Sequence, residues 1–449
     1  MRLHGALFAI GLIVYGLVAW NRLGRQSPAP HFVYQADAWL HGSLAVAPPL
    51  PNDDWACVET VELDDGTQAE GRRMITRPAF RTLDGRELPT PRVKRSLGFT
   101  SYVSFPPLPS LIMVPGVLVG GRAANDVLPT VVIAALILPL TLLLLRRLAD
   151  AGLSKRTVRD DLWLVATLAF GSVMFFSSVQ GKVWYTAHVV GVVLALVYAW
   201  ASVEARRPLV AGLALGAAAL TRTSMAFMIP LFLFELWRIT PRETPRALVR
   251  PLVRFAAPIA AFAILGMIYN YARFHSPTEF GHTYLALGNH QPVYQQQQIE
   301  NWGLASYHYL SRNLTVAFTL LPELLPRSPY LQVSGHGLAL WVTTPVLVLL
   351  LWPREKNALH RTLWITVACV AIWSLLYMNS GWFQFGYRFS LDYMVFLIML
   401  LAIGGRPLTR VVKGLIIAGI VINLFGAVTF DRYWQFYRGG AAREIVVGN

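Results

Sequence analysis

The stretch GLALGAAALTRTSMAFMIPLFLF (residues 212–234) contains two apolar runs that meet at a basic Thr-Arg turn. A helix that crosses a bilayer needs about 20 mostly apolar residues, because about 30 Å of hydrocarbon must be crossed at 1.5 Å per residue. Runs of this kind recur on both sides of the stretch. The predicted spans are Gly5–Trp20, Val127–Leu145, Leu162–Ser178, His188–Val203, Leu209–Leu220, Met225–Trp237, Phe255–Tyr269, Gly337–Trp352, Leu363–Met378, Tyr393–Ile403 and Leu415–Phe430. The sequence therefore predicts an all-α polytopic membrane protein with about eleven transmembrane helices.

The composition supports this fold class and excludes others. Of the 449 residues, 55% are hydrophobic and 14% are charged, whereas a soluble domain carries about 25% charged residues. Only two cysteines occur, Cys57 and Cys369, too few for a disulfide framework or a thiolate metal site. A soluble enzyme, a disordered scaffold and a disulfide-stapled secreted module are thus excluded.

The net charge of +15 is explained by where the basic residues lie. They cluster in every second connection between predicted spans, as the positive-inside rule requires of cytoplasmic loops. The clusters lie within residues 146–159, 206–207, 238–254, 354–361 and 406–413. This alternation predicts a cytoplasmic N-terminus, retained as a membrane anchor, and an extracytoplasmic C-terminus. The charge is therefore topological and does not indicate nucleic-acid binding.

Two large segments are then predicted outside the cytoplasm, within one transmembrane unit of residues 1–449. The first, residues 22–105, contains the turn sequences LDDGT (Leu63–Thr67) and LDGRE (Leu83–Glu87), which predict two hairpins in a small β insertion. The second covers residues 272–336. The proline-rich segment Phe105–Gly121 follows the first outer segment and is expected to be interfacial or re-entrant. Counting it as a span would put the basic cluster within residues 146–159 outside the cytoplasm. Large loops on one side indicate that the function is performed there.

Three cations are expected at outer turns between spans: Lys182, Arg222 and Arg388. Ionisable residues at membrane depth are costly and are functional candidates by default. Three convergent cations suit an anionic lipid headgroup, particularly a phosphate. The alternative is that each side chain merely extends to the interface, as long basic side chains readily do.

Carboxylates in the first outer segment are the candidates for a general base. Asp37 lies in HFVYQADAWLHGSL (residues 31–44), and Asp53 lies in PPLPNDDWA. Either could deprotonate an acceptor hydroxyl if it is held near a cationic pocket. The alternatives are a solvated helix face for Asp37 and a turn or cap for Asp53. Asp54, His188 and Tyr387 are further candidates for lining the site.

Several segments together resemble the GT-C superfamily of integral membrane glycosyltransferases. They are HFVYQADAWLHGSL, YVSFPPLPSLIMVP (residues 102–115), the stretch 212–234, NYARFHSPTEFGHTY (residues 270–284), YLSRNL and GWFQFGYRFSLDYMVFLIMLLA (residues 381–402). Within the superfamily, the chain is most similar to bacterial proteins such as protein O-mannosyltransferase and the aminoarabinose transferase of lipid A.

The resemblance implies a polyprenyl-phosphate-linked sugar as donor, and transfer to an outer acceptor that is a glycan, a lipid or a protein. An acidic residue of the first outer loop would act as base, and Arg222 and Arg388 would hold the donor phosphate. In better-known members the carboxylate opens the helix after the first span, where this chain has Ser27–Pro30, so both Asp37 and Asp53 remain candidates.

The expected location is the inner (plasma) membrane of a bacterium. No cofactor is assigned, and the participation of a divalent metal ion is left open. Two alternatives are a transporter or flippase of a lipid-linked sugar and a catalytically inactive membrane homologue.

Overall fold

The computed structural model describes residues 2–52, 54–241, 245–285 and 293–438, and most of them are helical. The α-helices are α1 (Arg2–Ala19), α2 (His31–Leu40), α3 (Leu108–Gly120), α4 (Val127–Ala135), α5 (Ile137–Asp150), α6 (Val158–Ala169), α7 (Met174–Ser178), α8 (Val183–Ser202), α9 (Pro208–Ala219), α10 (Pro230–Ile239), α11 (Val249–Phe274), α12 (Val293–Trp302), α13 (Leu310–Leu314), α14 (Leu340–Thr343), α15 (Ala358–Leu376), α16 (Leu391–Ile403) and α17 (Arg410–Thr429). The strands are β1 (Trp55–Leu63), β2 (Gln68–Arg73), β3 (Ala79–Thr82), β4 (Glu87–Pro89), β5 (Val93–Val103), β6 (Glu323–Leu324), β7 (Leu331–Ser334) and β8 (Tyr437–Arg438).

Among the described residues, six helical segments are long and apolar enough to cross a membrane. They are Arg2–Arg22, Val127–Asp150, Val183–Ala205, Arg246–Phe274, Ala358–Leu376 and Arg410–Thr429. Their length and composition support a multi-pass membrane protein. The predicted count of about eleven spans is not confirmed.

The difference arises because several predicted spans are interrupted or short. The apolar segment Leu162–Ser178 is divided, since α6 ends at Ala169 and α7 begins at Met174. Pro230 begins α10 and Pro345 begins a short 3₁₀ turn, because proline has no N–H with which to continue a preceding helix. Helices α9 and α16 have only 12 and 13 residues. The apolar runs therefore predicted where these helical segments lie in the chain, but not where they are interrupted.

Helix α16 lies in the centre of the bundle. All of its residues are buried, and it packs against α6, α8 and α15. A helix that is apolar on every face is expected to be surrounded by other helices. Any ionisable residue on α16 must therefore find its partner inside the protein.

Helices α9 and α11 approach each other closely at two glycines. A Cβ atom added to Gly212 would lie 2.1 Å from the carbonyl oxygen of Phe255, and one added to Gly216 would lie 2.5 Å from the ring of Phe262. Two small residues four positions apart lie on one helix face and allow the neighbouring backbone to approach. This contact positions the end of α9, and with it the turn that carries Arg222.

The small β insertion that the sequence predicted is present. Strands β1 to β5 form an antiparallel sheet in the order β4-β3-β2-β1-β5. The β1–β2 and β3–β4 connections coincide with the two predicted turn sequences. In β1, which lies between β2 and β5, Glu59 pairs with Gly71 of β2 and with Phe99 of β5. A second, three-stranded sheet has the order β6-β7-β8.

The five-stranded sheet is attached to the bundle through α2. The imidazole of His31 stacks on the indole of Trp55 with ring centroids 4.0 Å apart. On its other side, α2 packs through Phe32 against Met113 of α3 and Ala187 of α8 in one buried cluster. This packing places the residue before β1, Asp54, beside the start of α8.

Candidate functional site

A cavity of about 380 Å³ lies at the end of the bundle that faces the five-stranded sheet. Its walls come from segments far apart in the sequence: the residue before β1, the start of α8, the turn after α9, the end of α15 and the turn before α16. Its polar lining includes Asp54, Arg222, His282 and Arg388, and aromatic rings form much of the remaining wall. A mostly apolar cavity with a few convergent polar groups is the expected form of a ligand site.

Arg222 is held in this wall by a carboxylate of α16. Its Nε lies 2.5 Å and its Nη2 2.9 Å from the two carboxylate oxygens of Asp392. Asp392 is fully buried, and it also accepts a hydrogen bond from the hydroxyl of Ser224 (2.6 Å) and lies 3.2 Å from Nδ1 of His188. A two-point contact of this kind fixes the plane of the guanidinium. The sequence therefore folds so that a buried anion orients the cation of the cavity wall.

Arg388 and Arg222 both lie near the ring of Phe389. The guanidinium carbon of Arg388 is 5.4 Å from the centroid of the Phe389 ring, and that of Arg222 is 5.3 Å from it. Arg388 donates to the carbonyl oxygens of Gly381 and Phe383, while its Nε has no hydrogen-bond partner among the described residues. Unlike Arg222, it has no carboxylate within 4.0 Å in the described part of the chain. A buried guanidinium held by neutral carbonyls keeps its positive charge available to a ligand.

The negative group of the cavity is Asp54. Its carboxylate accepts a hydrogen bond from the indole N–H of Trp184 at 2.8 Å, and its carbonyl oxygen accepts one from the hydroxyl of Ser104 at 3.0 Å. Burial lowers the pKa of the Arg388 guanidinium to about 10, and the nearby charges of Arg222 and Asp54 act on that pKa in opposite directions. The carboxylate and both cations thus belong to one electrostatic environment.

His282 adds a neutral side chain to the wall. Burial lowers its pKa to about 4, so the imidazole is uncharged at neutral pH. Its Nδ1 is buried and has no hydrogen-bond partner among the described residues. A neutral imidazole can accept or donate one hydrogen bond, and this side chain can therefore contact a hydroxyl of a ligand.

Two candidates from the sequence lie elsewhere and are neutralised. Asp37 is buried and forms an ion pair with Arg122, with Oδ2 and Nε 2.8 Å apart. Lys182 forms an ion pair with Asp431. Neither Asp37 nor Lys182 lines the cavity. Both are instead in structural contacts that join distant segments.

Three further candidates from the sequence are Asp53, His188 and Tyr387. Asp53 lies outside the described residues. His188 is buried behind Arg222, beside Asp392, and does not line the cavity. Tyr387 is also buried and packs against Phe389 with ring centroids 6.1 Å apart.

The sequence analysis missed three residues of this site: Asp392, Trp184 and His282. For Asp392 a signal was present, since it is the single carboxylate of an otherwise apolar helix and follows Arg388 by one helical turn. Trp184 and His282 are ordinary residue types at a membrane interface. Their positions depend on contacts between distant segments, which no local pattern reveals.

Within the described ranges, no group of three His, Cys, Asp or Glu side chains is arranged to hold a metal ion.

Comparison with known proteins finds no matching family model and no matching curated protein. Among solved structures, the chain is similar to the apo form of the oligosaccharyltransferase of Archaeoglobus fulgidus, with a TM-score of 0.47 and 14% sequence identity. The similarity covers 97% of this chain and 56% of that chain. The present chain thus spans little more than half the length of that protein.

Proposed function

We propose that the chain transfers a sugar from a polyprenyl-phosphate-linked donor to a hydroxyl of an extracytoplasmic acceptor, with inversion at the anomeric carbon. The observation that carries the proposal is the meeting of Arg222, Arg388 and Asp54 at one cavity. This combination provides cations for a leaving phosphate and a carboxylate for an attacking hydroxyl.

The two guanidiniums would bind the donor phosphate. Arginine presents its N–H groups in a rigid fork that matches phosphate oxygens. When the bond between the anomeric carbon and the phosphate oxygen breaks, the electron pair stays on the phosphate, and its negative charge increases. Preorganised cations stabilise such a developing charge strongly in a water-poor site. The leaving group then needs no proton from an acid.

Asp54 would act as the general base. The acceptor oxygen attacks the anomeric carbon on the face opposite the phosphate, and its proton passes to the Asp54 carboxylate. The indole N–H of Trp184 orients that carboxylate. Asp53 stays a rival because its side chain is not described, whereas Asp37 is engaged by Arg122 away from the cavity. This single-base mechanism differs from glycoside hydrolysis, which would use a second carboxylate about 5–10 Å from the first.

A lipid carrier is supported by the apolar side of the cavity. Phe227 and Trp373 line it and stack with ring centroids 4.6 Å apart. Each is 39% exposed. Trp373 is on α15, which is long and apolar enough to cross a membrane, and the turn that carries Phe227 packs against α15. A polyprenyl chain bound across these rings would remain in the hydrocarbon region while its phosphate reached the arginines.

The proposal includes membership of the GT-C superfamily, a bacterial inner-membrane location and an N-terminus in the cytoplasm. The outer segments would be residues 22–105 and 272–336. The acceptor, whether glycan, lipid or protein, would enter from the side of the five-stranded sheet, since Asp54 directly precedes β1.

The test is sugar transfer in membrane vesicles supplied with labelled polyprenyl-phosphate sugars. Wild type is compared with Asp54→Asn, Asp53→Asn and Asp37→Asn at equal expression. The matched control is Asp84→Asn, an exposed carboxylate of the β3–β4 turn. We expect Asp54→Asn to lose about 10²–10⁴-fold in rate and the control to retain full activity.

Other results would overturn parts of the proposal. Loss of activity in Asp53→Asn or Asp37→Asn, with Asp54→Asn active, would reassign the base. Movement of the sugar lipid across the membrane without covalent transfer would indicate a flippase. Failure of wild type to consume any donor of a broad panel would favour an inactive homologue.

A further inference from the structure

A second pocket lies at the opposite end of α8 from the cavity. Trp184, at the start of α8, lines the cavity, whereas Trp200, near its end, lines a separate pocket of about 160 Å³. The helix between these two residues is about 24 Å long at 1.5 Å per residue. The two pockets therefore lie near opposite ends of a helix that is long and apolar enough to cross a membrane.

Arginines dominate the lining of the second pocket. Arg146 and Arg147 come from the end of α5, and Arg206 and Arg207 come from the connection between α8 and α9. The pocket also contains Asp150. Four guanidiniums against one carboxylate give the lining an excess of positive charge.

Arg146 and Arg147 are partly neutralised by carboxylates that are not part of the pocket lining. Nη1 of Arg146 lies 2.8 Å from a carboxylate oxygen of Asp161, and Nη2 of Arg147 lies 2.5 Å from one of Glu204. Such contacts hold the guanidinium planes in place. They use only part of the hydrogen-bonding capacity of each side chain, because each guanidinium has five N–H groups.

The other two arginines are free of carboxylates in the described part of the chain. Arg206 and Arg207 are exposed, and no described Asp or Glu lies within 4.0 Å of either. The guanidinium of Arg207 lies over the indole of Trp200, 4.3 Å from the ring centroid. Stacking on a tryptophan orients the guanidinium without neutralising it.

We propose that this pocket binds the phosphate of an anionic phospholipid in the leaflet opposite the cavity. Basic pockets between transmembrane helices on the cytoplasmic side are suited to such headgroups. The pocket volume of about 160 Å³ is about the volume that five water molecules occupy in liquid water. This is enough for a phosphate group.

A lipid is favoured over a soluble phosphate because the pocket borders on an apolar surface. Leu143 lines the pocket itself, and Leu209, two residues after Arg207, is 52% exposed. Leu209 is in the first turn of the apolar helix α9. The acyl chains of a lipid whose phosphate lies between the arginines would cover this surface.

The test is lipid binding by the purified full chain in neutral detergent micelles, measured by native mass spectrometry. The probe is phosphatidylglycerol, with phosphatidylcholine for comparison. We expect a clear preference for phosphatidylglycerol, and about 30-fold weaker binding of it in R206Q/R207Q. The matched control is R250Q/R254Q, which removes the same charge from two exposed arginines of α11.

Each other outcome would overturn the proposal. Equal weakening in both double variants would mean a general surface-charge effect. Equal binding of both lipids by wild type would mean no headgroup site. Displacement of the lipid by inorganic phosphate at the same concentration would mean a soluble-anion site. If R206Q/R207Q does not fold, Arg206→Gln alone is expected to weaken binding about fivefold while its melting temperature stays at the wild-type value.

Discussion

Asp392 accepts two hydrogen bonds from Arg222 across the centre of the bundle, with Oδ1–Nε and Oδ2–Nη2 distances of 2.5 and 2.9 Å. The carboxylate is on the buried helix α16, and the guanidinium is in the turn after α9. One edge of the Arg222 guanidinium is thereby occupied by an anion, and its central carbon lies 5.3 Å from the centroid of the Phe389 ring at the cavity. The pair gives the site a cation whose position is set by a helix that is buried along its whole length.

Removal of either member of this pair should destabilise the protein, and removal of the arginine should do so more. Arg222→Gln leaves the buried Asp392 carboxylate without its cation, which costs about 3–5 kcal/mol. Asp392→Asn should cost less, because the Arg222 side chain is 19% exposed at the cavity wall. The double variant should lose less than the two single losses combined, because no charge is left alone. The measurement is unfolding in detergent micelles, analysed as a double-mutant cycle. The control is Asp64→Asn, whose pair with Arg92 is exposed and should contribute little, because solvent screens it. Equal losses at the buried and exposed pairs would contradict the expectation.

Trp184→Phe should slow sugar transfer about tenfold without unfolding the protein. The substitution keeps an aromatic ring but removes the N–H that donates to Asp54 at 2.8 Å. A hydrogen bond to a charged group contributes about 1.5–3 kcal/mol. The measurement is the rate of transfer in vesicles at saturating donor. Trp434→Phe, at an indole that is 58% exposed, is the matched control. An unchanged rate in Trp184→Phe would show that the indole does not position the base.

Asp126 should make stability fall as the pH rises from about 4 to about 6. Burial raises its pKa to about 6, while hydrogen bonds from the Ser27 hydroxyl and backbone N–H act in the opposite direction. Because the folded state binds the proton more tightly than the unfolded state, its contribution is complete below pH 4 and is lost by about pH 6. The loss is on the order of 3 kcal/mol at 1.36 kcal/mol per pKa unit.

The check is the melting temperature in detergent micelles between pH 4 and pH 7, for wild type and Asp126→Asn. The amide does not titrate, so the variant should show a flatter profile in this interval. Identical profiles for the two proteins would show that another group is responsible.

Gly212→Ala should destabilise the contact between α9 and α11. The added Cβ would lie 2.1 Å from the carbonyl oxygen of Phe255, so the two helices must separate. Overpacking of this kind costs about 1–3 kcal/mol. The control is Gly414→Ala on α17, where no atom lies within 4 Å of the added Cβ and the better helix propensity of alanine should be neutral or stabilising. Melting temperatures of the two variants give the comparison, and a Gly212→Ala protein as stable as Gly414→Ala would show that the helices are not in close contact.

The sequence by itself determined the class of the protein and much of its local structure. The apolar runs indicated a bundle of membrane helices, because burial in hydrocarbon depends on composition over about 20 residues. The turn sequences at Leu63–Thr67 and Leu83–Glu87 indicated the hairpins, because turn geometry depends on a few adjacent residues. Arg222 and Arg388 were identified as candidates because a cation beside an apolar run is conspicuous wherever it occurs.

The tertiary structure alone decided which charges pair with each other. Asp37 and Lys182 fit the same sequence criteria as the cavity residues, but they are neutralised by Arg122 and Asp431. Asp392 and Trp184 gained their roles from contacts with Arg222 and Asp54. The interruption between α6 and α7 was likewise not apparent from the composition of the apolar run. The physical reason is that an ion pair or hydrogen bond depends on distances of a few ångströms between side chains that are far apart in the chain, which local periodicity and composition do not encode.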